Sequence, residues 1–255
     1  FEIAEIATRS ARFDTILLSP RLPDCTRQEI LERITQYATK AEELREEHKG
    51  IVFCIGNELA VETIGIGSDL WRFTDRVSAK WRSDWKSRLT AFLAQLSKTV
   101  SGVFGGDMTY ASGFWELPID WDGLGMNIMS VNEYVEYRSI SEMKQELMRL
   151  RAYSRSHRKQ LWVTEFGCAT FEGAMTTPLA WMHKGKQYSQ EAQADAIKRY
   201  LQVFNEVQPE ACTLHQFWEW NEDDSVSFAI TKFSRSAPPQ RKLGFYMYKS
   251  YKRSQ

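Results

Sequence analysis

Short apolar runs alternate with long amphipathic stretches along this chain, and that rhythm admits few folds. "FDTILLSP" (13–20) is an apolar run bounded by proline. In "CTRQEILERITQYATKAEELREEHKG" (25–50), Ile30, Ile34, Tyr37, Ala41 and Leu44 recur every three to four positions, the period of one helix face. Thr26 and Glu29 form a capping box at its start, and Gly50 closes it. "IVFCIG" (51–56) is apolar again. Helical periodicity returns over 68–98, with Trp71, Trp81, Trp85, Leu89, Phe92 and Leu96, and then over 139–156, over 189–207 and in the tail "KLGFYMYKSYKR". Further strands are expected in "GVFGGD" (102–107), "WDGLGMNIMS" (121–130), "QLWVTEFG" (160–167) and "CTLHQFWEW" (212–220). The strands therefore begin near residues 13, 51, 102, 123, 161 and 212.

Strands that alternate with helices build a parallel sheet wrapped by helices. Such strands are buried on both faces, so they read as continuous apolar runs. An open doubly wound sheet would need a phosphate loop, and neither "GIGSD" (65–69) nor "GVFGGD" matches one. The other α/β architecture is a (β/α)8 TIM barrel, for which these six strands are two short. No proline- or glycine-rich linker divides the chain, so residues 1–255 read as one domain.

At 255 residues the chain can bury a sizeable core. Lys+Arg and Asp+Glu are balanced at 33 each. No net charge draws the chain to nucleic acid or an anionic membrane, and neither is expected as a partner. No apolar run approaches the roughly 20 residues of a membrane helix. Cysteines at 25, 54, 168 and 212 form no CxxC or Cys/His cluster. They read as buried free thiols suited to a reducing compartment, which points to the cytoplasm. Nothing implies a metal or a cofactor. No signal peptide is visible and the first residue is Phe1, so a further N-terminal segment is expected.

In a (β/α)8 barrel the reactive groups stand at the C-terminal ends of the strands. By this count Arg21 follows the first visible strand, Asn57 and Glu58 the second, Asp107 and Tyr110 the third, Asn127 the fourth and Glu165 the fifth. Trp218, Glu219 and Trp220 end the sixth, and Glu116 is a further carboxylate near the rim. Two endings are alike: "IVFCIG" stops at Asn57–Glu58, and "LWVTEFG" stops at Glu165. Alone, either glutamate reads as a helix cap or half of an ion pair with Arg21. Together they put two carboxyl groups on one rim. His215 points along a strand and reads as a core histidine. "GAMTTPLAWMHKGKQYS" (173–189) is long enough to serve as a lid carrying Trp181.

"GNE" closing one strand, "TEFG" closing a strand three later and "FW" on the next resemble the clan A glycoside hydrolases, which are (β/α)8 barrels. The resemblance implies that Glu58 follows strand 4 as acid/base and Glu165 follows strand 7 as nucleophile. The two expected strands between them fit that count. The first visible strand is then strand 3, with strands 1 and 2 absent. The resemblance further implies that Asn57 hydrogen-bonds the sugar 2-hydroxyl and that Trp218, on strand 8, lies under the sugar. Trp115 and Trp181 are further rings on which a sugar face can stack. Arg21, Asp107 and Tyr110 complete the substrate-binding rim. Asn127 takes the strand-6 position, but Ile128 and Met129 stand where the clan often has an aromatic, a departure that counts against the hydrogen bond the resemblance implies to the nucleophile.

A second resemblance covers most of the chain. "LSPRL", "GNEL", "TYASGFWE", "DW" and "VTEFGCATFEGA" look like microbial barrel proteins often labelled abortive infection proteins, a label that implies little chemistry. The expectation is a retaining glycoside hydrolase acting on a β-linked oligo- or polysaccharide. The alternative is a catalytically inactive barrel that binds carbohydrate or a protein partner, motivated by the missing strands and by Ile128–Met129.

Overall fold

The computed structural model describes residues 2–8, 15–19, 27–48, 50–59, 79–135, 138–177, 180, 183, 185–214, 218–219, 230–234 and 237–253. The elements are β1 (Glu2–Thr8), β2 (Thr15–Ser19), α1 (Arg27–Glu47), β3 (Ile51–Asn57), α2 (Ala79–Ser101), β4 (Asp107–Gly113), β5 (Ile128–Glu133), α3 (Ile140–Ser156), β6 (Gln160–Phe166), α4 (Gln190–Val207), β7 (Ala211–Leu214), β8 (Trp218–Glu219), β9 (Thr231–Ser234), β10 (Ala237–Arg241) and α5 (Leu243–Arg253). Short 3-10 turns follow β4 (Phe114–Glu116) and β6 (Ala174–Thr176). The chain forms two compact units.

The first unit holds β1 as far as Ile6, then β2 to β5 as far as Val131, with α1 and α2 between them. β2, β3 and β4 run parallel, with Ile16 opposite Ile51 and Val52 opposite Asp107. β1 lies antiparallel along the other side of β2, Glu2 against Ser19. β3 is buried along its whole length except at Asn57, as a strand covered on both faces must be. Ile30, Ile34, Ala38 and Ala41 make a fully buried stripe on α1, and Leu89, Leu93, Leu96 and Val100 make one on α2. Phe104, just past α2, sets its ring 5.6 Å from that of Phe53.

The second unit holds the end of β5, then α3, β6, α4, β7 and everything beyond. β6 and β7 are parallel, Trp162 opposite Ala211, and Ala7 and Thr8 of β1 pair antiparallel with Cys212 and Ala211. Ser139 and Glu142 cap α3 reciprocally: Ser139 Oγ accepts the Glu142 N–H at 3.2 Å, and Glu142 Oε2 accepts the Ser139 N–H at 2.7 Å. Phe166 anchors the core, with the Phe204 ring edge-on at 4.9 Å and Tyr200 and Tyr248 at 5.6 and 6.2 Å. β8, β9 and β10 make a separate three-stranded sheet.

A strand lies at or just after each of the six expected places, with four differences. "GVFGGD" is not a strand: α2 runs on to Ser101, residues 102–106 turn, and β4 starts at Asp107, the last residue of the expected strand. β5 likewise starts only at Ile128, after turns that use Gly125 at φ +65°, a conformation that side chains resist. "CTLHQFWEW" is not one strand, because β7 stops at Leu214 and Trp218–Glu219 pair with Thr231–Lys232 of β9. Finally, β1 was not foreseen, and it gives both β2 and β7 a partner on the side that the expected strand list leaves open.

Candidate active site

β3 ends in a bulge. Cys54 pairs with Thr109 and Asn57 with Ala111, so β3 uses one more residue than β4 over the interval. Bulges bend a strand and re-aim the side chains that follow. Gly56 permits this one, because Leu59 folds back over the strand end and a Cβ at Gly56 would lie 2.3 Å from Leu59 Cδ1. Glu58 then takes φ +48°, in the left-handed region, which costs an L-residue roughly 1–2 kcal/mol. β4 holds it there: the Glu58 N–H donates to Ala111 O at 2.9 Å, and the Leu59 N–H donates to Tyr110 Oη at 2.8 Å.

Tyr110 in turn donates to the buried carboxylate of Glu116, whose oxygens lie at 2.8 and 2.9 Å, and Glu116 also accepts the Gly113 N–H at 2.8 Å. Burial first, and then the charge of Glu116, push the Tyr110 hydroxyl well above its ordinary range, so it stays protonated. Asn57 and Glu58 are both half-buried at the strand end. The Trp115 indole lies over Gly113, whose Cβ position is 2.6 Å from the ring, and it is 39% exposed.

β6 ends in the same manner. Val163 pairs with Cys212 and Phe166 with Leu214, so the extra residue falls in the interval that contains Glu165. Glu165 Oε2 accepts a hydrogen bond from Tyr134 Oη at 2.9 Å. Next to this pair, the buried Thr164 Oγ1 donates to Asn132 Oδ1 at 2.9 Å. The segment that carries Tyr134 is tied down from several sides. Arg138 Nε donates to Tyr134 O at 3.2 Å, Arg138 Nη1 to Glu146 at 2.8 Å, and Arg138 Nη2 to Glu133. The Val135 N–H donates to Tyr200 Oη at 3.0 Å. Glu133 is fully buried, and that burial outweighs Arg138 and pushes its carboxyl up to about 8.

Four expected positions change. Tyr110 is wholly buried, so it supports the Glu58 backbone instead of touching substrate. Asp107 opens β4 and Asn127 precedes β5, so both stand at the N-terminal strand ends, where Asn127 Nδ2 donates to Asp107 Oδ1 at 3.2 Å. The shifted strand starts are the reason. The same shift overturns the departure at Ile128–Met129: these residues begin β5, and the aromatic at its other end is Tyr134. Trp218 belongs by its main chain to the small sheet and not to the end of β7. Its side chain, that of Glu219, and Arg21, Thr26, Trp181 and His215 lie outside the described residues. Sequence reasoning missed Tyr134 and the support role of Glu116. The signal for Tyr134 was present, since "IMSVNEY" is an apolar run ending in an amide and a carboxylate, as "IVFCIGNEL" is.

The model of Glycoside Hydrolase Family 113 matches residues 24–232, a span that includes both strand-end glutamates. A solved β-1,4-mannanase of that family has TM-score 0.61 at 16% identity, over 90% of this chain and 63% of its own. A β-mannanase of the family from Alicyclobacillus acidocaldarius, in complex with ManMIm, has TM-score 0.54 at 16% identity, over 89% of this chain and 61% of its own. An FMN-binding β-glucuronidase from Faecalibacterium prausnitzii L2-6 has TM-score 0.56 at 16% identity, over 92% of this chain and 33% of its own. The fold is therefore that of a (β/α)8 barrel, present in part. The chain spans less than two thirds of the mannanases' length. No curated protein matches it.

Proposed function

The chain belongs to Glycoside Hydrolase Family 113, and from that premise we propose that it cleaves a β-linked, mannan-type polysaccharide with retention of configuration. Glu58 protonates the glycosidic oxygen while Glu165 attacks the anomeric carbon, giving a covalent glycosyl-enzyme. Glu58 then takes a proton from water, which displaces Glu165. The two carboxyl groups account for every proton, so no cofactor or metal is needed. Asn57, Arg21, Trp115 and Trp218 are the proposed sugar contacts, the exposed indole of Trp115 offering a face to a pyranose ring. β-Mannan is taken as the substrate class because two of the similar structures are described as mannanases.

One observation carries this reading. Each glutamate stands at a bulge at the C-terminal end of a parallel strand, with a tyrosine hydroxyl close by: that of Tyr110 in β4 accepts the N–H of Leu59, next to Glu58, and that of Tyr134, just past β5, donates to Glu165. An inactive barrel is the weaker reading, because Tyr134 supplies the hydrogen bond whose absence is one of its two motives. The likeness to proteins labelled abortive infection proteins remains one of short motifs and adds no chemistry. A reducing, cytoplasmic setting is supported by the burial of Cys54, Cys168 and Cys212. No helix among the described residues is long and apolar enough to cross a membrane.

Proton NMR of a β-linked manno-oligosaccharide during hydrolysis tests the proposal. The β-anomer of the new reducing end should appear first, and Glu165→Gln should abolish its formation. An α-anomer appearing first would overturn retention, and no cleavage by the unaltered chain would overturn the activity.

A further inference from the structure

The peptide groups on both sides of Glu58 are anchored to consecutive residues of β4. The one before it is held by Ala111 O at 2.9 Å, and the one after it by Tyr110 Oη at 2.8 Å. Those two planes set the φ and ψ of Glu58, and φ is +48°, a value that an unconstrained glutamate avoids. The Ala111 anchor is backbone and any sequence could supply it. The Tyr110 anchor is a side chain, and its hydroxyl is aimed by the acceptor it donates to, the buried Glu116 carboxylate at 2.8 and 2.9 Å. Glu116 is 1% exposed, and it also accepts the Gly113 N–H at 2.8 Å, which closes the turn that returns it to Tyr110.

We propose that Glu116, acting through Tyr110, is a positioning residue that holds Glu58 in its left-handed conformation and so sets the place from which its carboxyl donates a proton. This rests on the reading of Glu58 as the acid. Tyr110 is 0% exposed, so neither residue reaches the substrate directly. The hydroxyl accepts from Leu59 and donates to Glu116 at once. Removing the Glu116 acceptor frees that proton to turn toward the Leu59 N–H, which would break the anchor. A purely structural role would lower activity on every substrate together. A role in placing the acid would not, because a leaving group that departs as a stable anion needs no proton.

The test compares Tyr110→Phe and Glu116→Gln with the unaltered chain on two β-mannobiosides, one with an alkyl and one with a dinitrophenyl leaving group. Acid assistance is worth roughly 10²–10⁴-fold, and a misplaced acid forfeits part of it. In Tyr110→Phe, kcat/KM on the alkyl glycoside should fall about 10- to 100-fold and on the dinitrophenyl glycoside less than about threefold. Glu116→Gln, which keeps an acceptor in place, should shift in the same direction by less. Equal losses on both substrates would overturn the proposal. Amide hydrogen exchange by NMR gives an answer that does not depend on turnover. The Leu59 amide should exchange faster in Tyr110→Phe while the Thr109 amide is unchanged, and unchanged Leu59 protection would overturn the proposal. If the unaltered chain hydrolyses neither substrate, the activity reading fails, and the Leu59 amide still decides whether the anchor exists.

Discussion

Tyr134→Phe removes one oxygen atom and leaves the ring where it is. The lost contact is the 2.9 Å hydrogen bond from Tyr134 Oη to Glu165 Oε2. A hydrogen bond to a charged group contributes roughly 1.5–3 kcal/mol. If that contribution is felt in the transition state, where the carboxylate must face the anomeric carbon, the loss in kcat/KM is about 10- to 160-fold at 1.36 kcal/mol per decade. Tyr134 is only half-buried, so the substitution should cost the fold no more than that one hydrogen bond. The assay is steady-state hydrolysis of a manno-oligosaccharide, with Glu165→Gln as the floor. A Tyr134→Phe rate within about twofold of the unaltered chain, with Glu165→Gln inactive, would refute the claim that this bond orients the nucleophile.

Glu133 offers a pH test that is independent of turnover. Its folded carboxyl titrates near 8 against an ordinary 4.5, so the folded chain binds a proton that the unfolded chain releases. Stability is then greatest below about pH 4.5 and falls as pH rises to about 8, by a ceiling of roughly 5 kcal/mol. Glu133→Gln should remove that slope in urea titrations, and parallel curves for the two proteins would show that the carboxyl is already ionised. Phe204 is 0% exposed and packs edge-on against Phe166 at 4.9 Å, so Phe204→Ala should lower stability by about 3–5 kcal/mol in the same titration; a loss under about 1 kcal/mol would mean that the core re-forms around it. Arg138→Lys keeps the charge but not the fork that reaches Tyr134 O, Glu133 and Glu146 together, so kcat should fall several-fold with KM little changed, and full activity would show that the clamp is dispensable.

The alternation of strands and helices was legible from the amino-acid sequence, because strands buried on both faces must be apolar and crossover helices must carry an apolar stripe. "IVFCIG" and "QLWVTEF" are such strands, and Glu58 and Glu165 stand out where their apolar runs end. Where a strand begins is a different matter. "GVFGGD" and "WDGLGMN" contain enough apolar residues to pass for strands, and only the neighbouring elements decide that α2 ends at Ser101 and that the sheet resumes at Asp107 and Ile128. That choice moved Asp107 and Asn127 to the far strand ends and brought Tyr134 to the near one. The bulges before Phe166 and at Gly56, the positive φ of Glu58 and the burial of Tyr110 against Glu116 are likewise products of tertiary structure. Each depends on which residue of another strand lies opposite. Hydrophobic periodicity reports whether a residue is covered, and it is silent about what covers it, so the sequence named the two glutamates and only the assembled sheet chose the groups that hold them.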